Sequence, residues 1–498
     1  MPHECAQGRL AGTVRNGIQR FFGIPYATPP IGARRWRLPQ PAEPWSGVRD
    51  ATRFGAVCPQ TPGRIDRILG HSRGAQSEDC LFLNIWTPSL VGRRPVMVWI
   101  HGGAFLIGAG SQRLYDGSLL AAEDVVVVTL NYRLGAFGFV DLRRASGGVL
   151  PATGCEGLAD QLLALNWVRH NIADFGGDPD NVTVFGESAG AMSIGALLSA
   201  PAARGLFHKA IAQSGAAHIG HDPERAERAG RAFLAALGLE RSSAARALEV
   251  PAQAIVAAQI AVQATARDGH NPHRLGALPF QPVIDGTLLP DAPITAIRAG
   301  SARGVTLLSG TNREEWKLFT AANPKLRLMS RQRFGARVER FARDAAPDLL
   351  AVYKGSSAFE QFNAFMTDKV FAEPCRRLLE AQADQGRSFA YRCDWRARLL
   401  GGIMGACHAV ELGFLFGAYR ERLPGAFFGQ GADADQLSAS LVRAWTSFAR
   451  SGDPGWPAYE RAERQTMIFG DGAPYLAARP QDERRQAFAA IADRRLGP

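Results

Sequence analysis

The most informative part of this chain is Val182-Thr183-Val184-Phe185-Gly186-Glu187-Ser188-Ala189-Gly190. Its β-branched first half predicts a strand, and the small residues that follow at 191–194 predict the start of a helix. The turn between them is tight, because glycine at positions 186 and 190 lets backbone segments approach where a β-carbon would collide. A turn of this kind presents Ser188 as an exposed nucleophile and directs the next backbone N–H towards the oxyanion that the serine creates.

Short apolar runs alternate with helical patterns along most of the chain. A hairpin is predicted where Asn16-Gly17 separates Thr13-Val14 from Ile18–Phe22, and a helix is predicted over Gly157–Phe175. Further strands are predicted at 95–100, 124–130, 207–212, 305–308 and 388–391, and further helical patterns at 222–270 and 329–383. The alternation predicts an α/β protein whose central, mostly parallel sheet is flanked by helices on both faces. Helical insertions are expected over the carboxyl edge of the sheet, where ligands bind in such folds.

Composition places the chain among ordinary globular proteins. It has 498 residues, of which 46% are apolar and 21% charged, and we expect residues 1–498 to form a single domain. No apolar run approaches the roughly 18 residues of a membrane-spanning helix, and no secretory signal is recognisable, so we expect a cytoplasmic protein or a secreted one that has lost its signal. The net charge of +11 comes with arginines that alternate with acids, as in Glu224-Arg225-Ala226-Glu227-Arg228. This pattern is typical of solvated helix faces and argues against nucleic acid as a partner.

A nucleophilic serine needs a base, an orienting acid and donors for the oxyanion. Donors are predicted in His101-Gly102-Gly103-Ala104-Phe105, which directly follows the predicted strand ending at Ile100. Among ten histidines, His408 stands in a small-residue loop after the strand at 388–391, which suits the chain order serine, acid, histidine. The acid should follow an intervening strand, where Glu314 and Glu315 are adjacent candidates.

Long, specific motifs recur from one end of the chain to the other. They are Phe22-Gly23-Ile24-Pro25-Tyr26-Ala27, Ser77-Glu78-Asp79-Cys80-Leu81-Phe82-Leu83-Asn84-Ile85, Asn131-Tyr132-Arg133-Leu134-Gly135-Ala136-Phe137-Gly138-Phe139, Gly157-Leu158-Ala159-Asp160-Gln161, Gly186–Gly190, Pro282-Val283-Ile284-Asp285-Gly286 and Gly452-Asp453-Pro454. With these motifs the chain resembles the type-B carboxylesterases, which include bacterial para-nitrobenzyl esterases, animal carboxylesterases, cholinesterases and the non-catalytic neuroligins. The resemblance implies the α/β-hydrolase fold and serine-dependent hydrolysis of carboxylic esters.

The resemblance also implies which residues form the site. The family's acidic motif places the catalytic acid at Glu315, so that the triad is Ser188, Glu315 and His408, with Trp316 standing where the family has glycine. The implied oxyanion donors are the backbone N–H groups of Gly103, Ala104 and Ala189.

Further contacts around the site follow from the same resemblance. They are a polar pair of Glu187 with Ser214 behind the nucleophile, ion pairs of Arg35 with Glu78 and of Arg133 with Asp160, and a disulfide between Cys58 and Cys80. The other five cysteines match no bridge of the family, and no His or Cys spacing indicates a metal site. We therefore expect neither a metal nor a cofactor.

The expected reaction is hydrolysis of a small-molecule ester through an acyl-enzyme intermediate. Two alternatives stay open. An amide or carbamate hydrolase would use the same groups, and a neuroligin-like binding protein would keep the fold without chemistry, although the intact triad argues against it.

Substrate preference is predicted from departures from the cholinesterase pattern. Cholinesterases place a tryptophan in the first cysteine loop, whereas residues 59–79 here contain no Trp, Tyr or Phe. The same segment contains Arg64, Arg67 and Arg73. Where cholinesterases carry acyl-pocket phenylalanines, this chain has Gly276 and Leu278. These differences predict a preference for neutral esters with short-to-medium acyl chains.

Overall fold

A computed structural model of the chain describes residues 2–61, 74–267, 275, 277–321, 323–354 and 357–498. The strands are β1 (Pro2–Cys5), β2 (Gly8–Ala11), β3 (Thr13–Arg15), β4 (Ile18–Pro25), β5 (Val48–Asp50), β6 (Phe82–Thr87), β7 (Arg94–Ile100), β8 (Val126–Leu130), β9 (Gly177–Glu187), β10 (Lys209–Gln213), β11 (Thr306–Asn312), β12 (Ser388–Cys393), β13 (Thr466–Phe469) and β14 (Tyr475–Ala477). The longer helices are α1 (Glu156–Asn171), α2 (Ala189–Ser199), α3 (Pro223–Ala236), α4 (Ala252–Arg267), α5 (Arg331–Ala342), α6 (Ala346–Val352), α7 (Ala358–Thr367), α8 (Glu373–Ala383), α9 (Arg422–Phe428), α10 (Ala432–Ser451) and α11 (Asp482–Phe488). Single α-helical turns cover Ser118–Ala121, Gly135–Gly138, Leu142–Ala145, Pro293–Arg298, Lys317–Thr320, Pro324–Arg327, Leu399–Gly402 and Leu412–Leu415, and a π-helical turn covers Asp368–Ala372.

The strands form one large mixed sheet and one small one. The large sheet has the order β14-β13-β12-β11-β10-β9-β7-β8-β6-β4-β3, and the small sheet joins β1, β2 and β5. Neighbouring strands from β8 across to β13 are parallel. At each end of the large sheet the outer strands pair antiparallel with their neighbours. The predicted hairpin is confirmed, since β3 and β4 pair antiparallel and Asn16 and Gly17 have φ of 51° and 77°.

The central strands are apolar throughout because both faces of the sheet are covered. Along β7, Val96 and Val98 point into one hydrophobic core, whereas Met97 and Trp99 point into the other. Helices α1 and α2 contribute to the first core and α10 to the second. This two-sided burial explains the continuous apolar runs that identified the strands in the sequence.

Helices α3 and α4 confirm the helical pattern predicted at 222–270, and α5 to α8 confirm the one predicted at 329–383. Helices α5, α6, α7 and α11 share a third, smaller core built around Val338, Leu349 and Phe362. No helix in the described ranges is long and apolar enough to cross a bilayer. The single domain over residues 1–498 stays a prediction.

Both ion pairs implied by the resemblance are present, that of Arg133 buried and that of Arg35 partly buried. Arg133 makes two bonds to the Asp160 carboxylate, from Nε at 2.8 Å and from Nη2 at 2.7 Å. Arg35 holds Glu78 through Nε at 2.7 Å and Nη2 at 2.5 Å. Forked arginine–carboxylate bonds of this kind fix geometry as well as charge.

Cys58 and Cys80 are neighbours in the structure, but no disulfide joins them. Both side chains are buried free thiols. The interaction with the Cys58 side chain, together with burial, raises the pKa of the Cys80 thiol well above its usual range. The predicted pair is therefore in contact, and its oxidation to a disulfide stays a prediction.

Candidate active site

Ser188 lies in the tight turn between β9 and α2, as the opening motif predicts. Its backbone has φ of 57° and ψ of −123°, a conformation that a residue with a β-carbon adopts only under strain. The turn requires glycine at position 190, because a β-carbon there would collide with the carbonyl group of Ile100. The Ser188 N–H donates to the Gln213 carbonyl at the end of β10, at 2.9 Å. Packing on both sides thus holds a partly exposed serine at the carboxyl edge of the sheet.

Glu315 and His408 meet at the same edge. They follow β11 and β12 respectively, and these strands are parallel neighbours, so their carboxyl ends adjoin. Glu315 Oε2 lies 2.7 Å from His408 Nδ1, and Glu315 Oε1 accepts the Asn312 N–H at 2.7 Å. Because a buried carboxylate at Nδ1 fixes the proton there, Nε2 is the nitrogen left free to exchange protons.

The Nε2 side of the imidazole faces a second carboxylate. His408 Nε2 lies 2.9 Å from Glu187 Oε1, an ion-pair distance without hydrogen-bond alignment. Burial alone would lower the pKa of His408, but the carboxylates of Glu187 and Glu315 outweigh it and hold that pKa well above its ordinary value. Within the described residues, the Ser188 hydroxyl makes no hydrogen bond with the imidazole, as is common in a site without substrate.

The loop after β7 and the start of α2 present unused backbone donors. Gly103 and Ala104 have φ of 110° and 57°, and no described residue accepts a hydrogen bond from either N–H. The loop abuts the nucleophile, since a β-carbon on Gly102 would lie 3.0 Å from the β-carbon of Ser188. Ala189 begins α2, so its N–H is among those that a helix leaves unpaired at its start. The predicted donors therefore lie beside Ser188.

The Glu187 and Ser214 side chains, predicted as a polar pair behind the nucleophile, make no hydrogen bond to each other, and their role there stays a prediction. The hydroxyl group of Ser214 is buried and has no hydrogen-bond partner among the described residues. Its backbone, with φ of 51°, instead ties the site to β11 through a 2.8 Å bond from its N–H to the Gly310 carbonyl. The Glu187 carboxylate lies beside His408, which opposes the rise in the Glu187 pKa that burial causes.

A third buried carboxylate at this site, that of Glu411, was not predicted from the sequence. Its oxygens accept from Gln213 Nε2 at 3.0 Å and from Asn312 Nδ2 at 2.6 Å. Burial and the neighbouring carboxylates of Glu187 and Glu315 raise its pKa to about 7. A single charged residue in the apolar run 409–416 was the signal that could have identified it. Although carboxylates gather here, no described set of three His, Cys, Asp or Glu side chains is placed to bind a metal.

Aromatic rings that the sequence analysis also missed border the imidazole. The ring centroids of Phe371 and Phe319 lie 4.7 and 5.3 Å from that of His408. Trp316 packs against Phe319 at 4.9 Å, so the residue that replaces the family's glycine joins this cluster. Phe319 remains 44% exposed and gives the site an apolar wall.

The residues behind the predicted substrate preference are mostly outside the described ranges. Arg64, Arg67, Arg73 and Gly276 all fall there. Leu278 is described: it is partly buried, and its carbonyl group accepts a bond from His221 Nε2 at 2.9 Å.

Comparison with known proteins connects this site to a family. The family model described as "Carboxylesterase family" matches residues 3–474. The chain is 41% identical to the para-nitrobenzyl esterase of Bacillus subtilis (strain 168), over 96% of each chain, and 34% identical to the phenmedipham hydrolase of Pseudarthrobacter oxydans, over 95% of this chain and 96% of that one. A solved thermophilic PNB esterase superimposes with a TM-score of 0.88 at 39% identity, covering 98% of this chain and 99% of the other. These similarities confirm the α/β-hydrolase fold and an enzyme that hydrolyses esters with a serine. The chain belongs to the carboxylesterase family.

Proposed function

We propose that Ser188 is the nucleophile of this esterase, His408 its general base and Glu315 the acid that orients the base. The observation that carries this proposal is the 2.7 Å contact between Glu315 Oε2 and His408 Nδ1 beside the strained turn of Ser188. It leaves Nε2, the nitrogen on the side of the serine turn, to accept a proton. We propose Gly103, Ala104 and Ala189 as the oxyanion donors.

The proposed reaction has two halves. Ser188 Oγ attacks the ester carbonyl carbon while its proton passes to His408 Nε2, and the negative charge on the carbonyl oxygen is stabilised by the backbone N–H groups. The imidazolium then protonates the departing alcohol, which leaves an acyl-serine. A water molecule repeats the sequence on the acyl-enzyme, releasing the carboxylic acid and restoring the serine. No step requires a cofactor.

The activity should rise with pH along an acid limb that lies above pH 6.5. His408 acts as a base only when neutral, and because carboxylates raise its pKa above the ordinary 6.5, more alkaline conditions are needed to deprotonate it. Replacing Glu187 with Gln removes one of these charges, so the limb should move to lower pH. The measurement is kcat/KM against pH for both proteins. A limb at the same pH in the variant would contradict the assigned cause.

We further propose that neutral esters with short-to-medium acyl chains, from butyrate to octanoate, are the preferred substrates. The absence of an aromatic residue from 59–79 removes the ring that would hold a quaternary ammonium, an interaction worth about 2 kcal/mol when desolvated. The exposed ring of Phe319 beside His408 supports an apolar substrate.

A matched pair of esters tests this preference. Choline butyrate and 3,3-dimethylbutyl butyrate have the same shape and differ only in replacing the ammonium nitrogen with carbon. We expect a higher kcat/KM for the neutral ester, and a series of neutral esters with longer acyl chains should locate the optimum between butyrate and octanoate. A higher kcat/KM for the choline ester would overturn the proposal.

A further inference from the structure

His101 is a buried side chain that the proposed mechanism does not use. It lies at the start of the oxyanion loop, directly after β7, and its ring is fully buried. Its Nδ1 lies 2.8 Å from the carbonyl oxygen of Gly102. Because a carbonyl oxygen can only accept, Nδ1 must carry the proton and donate it. The neutral ring is then an acceptor at Nε2, which has no partner among the described residues.

The bonded carbonyl belongs to the peptide unit that supplies an oxyanion donor. The Gly102 carbonyl and the Gly103 N–H share one planar trans peptide, so the two groups point in opposite directions. A hydrogen bond that fixes the carbonyl therefore also fixes the direction of the N–H. The restraint on the Gly103 N–H matters because Gly103 has a φ of 110°, which favours glycine. A glycine backbone has the widest conformational freedom, so without this hydrogen bond the peptide would be less fixed.

The ring of His101 is itself held on several sides. It stacks on Tyr132, with centroids 4.5 Å apart and planes inclined by 20°, and the Tyr132 hydroxyl group donates to the His101 carbonyl at 2.8 Å. On another side the backbone of Gly108 lies so close that a β-carbon there would collide with Nδ1. The imidazole therefore cannot turn away from Gly102 without displacing its neighbours.

The ring of His101 also keeps one protonation state near neutral pH. Burial lowers the pKa of His101 to about 4, and the bond to Gly102 opposes that shift only in part. Because protonation would place an unpartnered charge in the core, the neutral form persists at neutral pH. His101 Nδ1 therefore keeps its proton and remains a donor, whereas His408 gains and loses a proton during the proposed reaction.

We propose that His101 is a positioning residue for the oxyanion hole: its Nδ1–H fixes the Gly102–Gly103 peptide so that the Gly103 N–H faces the developing oxyanion. This inference rests on the proposed function of Ser188 and its neighbours. It assigns His101 no contact with substrate and no proton transfer. Its effect should therefore appear in the transition state and not in the binding of the ground-state ester.

The test compares His101→Leu with His101→Asn. Asn carries Nδ2 where His has Nδ1 and can still donate to Gly102, whereas Leu has a methyl group at that position. We expect His101→Leu to lower kcat by roughly 10- to 100-fold, less than the 10²- to 10³-fold loss of a whole donor. KM should stay within about twofold, and His101→Asn should recover most of the loss.

A second readout isolates the oxyanion. An aryl trifluoromethyl ketone adds to the serine and forms a tetrahedral oxyanion, so its inhibition constant should rise in His101→Leu by about the factor lost from kcat. The acid limb of the pH profile should not move, because His408 sets it. An unchanged kcat, an unchanged inhibition constant, a shifted acid limb or an equally impaired His101→Asn would each overturn the proposal.

A milder variant guards against loss of folding. Tyr132→Phe removes only the hydroxyl group that holds the His101 carbonyl, and we expect a several-fold lower kcat at unchanged KM. A change confined to KM would overturn the positioning role. Failure of the proposed function is distinguishable, since it would appear as full turnover in Ser188→Ala, whereas the His101 comparison is made within active proteins.

Discussion

Substituting Ser188 or His408 with Ala should each lower kcat by about 10⁴-fold or more while the protein remains folded. The serine supplies the bond to the acyl group and the histidine moves its proton, so neither step proceeds without the other. For this reason the double variant should be little worse than either single one. Steady-state hydrolysis of an activated neutral ester provides the measurement.

Both substitutions are compatible with the fold. Alanine keeps the β-carbon that Ser188 already places at φ of 57°, so it adds no new backbone strain. His170→Ala is a suitable control, because this exposed histidine lies at the end of α1, away from the catalytic loops. Thermal unfolding should show all variants folded. A Ser188→Ala protein with more than about one hundredth of the parent kcat would contradict the assignment of the nucleophile.

The fold was predictable where one sequence pattern determined one element. The apolar run of β7 indicates a strand and the Asn16-Gly17 turn indicates a hairpin, and both predictions are confirmed. Strand β6 was not predicted, although its sequence was recognised as part of a family motif, because a motif match does not by itself indicate secondary structure. Short edge strands such as β13 and β14 have too few residues for a period to be visible, and they form because the sheet offers a partner.

The site was predictable for residues that local sequence identifies. Ser188 stands in its own turn, and chain order with family resemblance led to His408 and Glu315, which the structure brings into contact. The roles of other residues depend on contacts between distant parts of the chain. The Gln213–Glu411 bond, for example, joins residues 198 positions apart, and the Glu187–His408 contact joins the end of β9 to the loop after β12, with two strands of the sheet between them. No local sequence pattern indicates a contact between residues so far apart in the chain.

Glu315→Gln should lower kcat by roughly 10³- to 10⁴-fold, whereas Glu314→Gln should change it by less than about threefold. The two residues are adjacent, yet of these two carboxylates it is that of Glu315 that contacts the imidazole. A neutral amide at that position no longer stabilises the imidazolium and can present a donor to Nδ1, which favours the wrong tautomer. Glu314 instead bonds Lys317 at 2.7 Å and accepts the Ala406 N–H at 3.0 Å.

The adjacent pair contains its own control. Gln at position 314 keeps an oxygen for the Ala406 N–H and loses only the charge that faces Lys317, so the loop before His408 should stay in place. The pH profile adds a second distinction: loss of the Glu315 charge lowers the pKa of His408, whereas the Glu314 carboxylate contacts Lys317 and the Ala406 N–H and not the imidazole. A severe loss in Glu314→Gln with a mild one in Glu315→Gln would show that the acid lies one residue earlier in the chain.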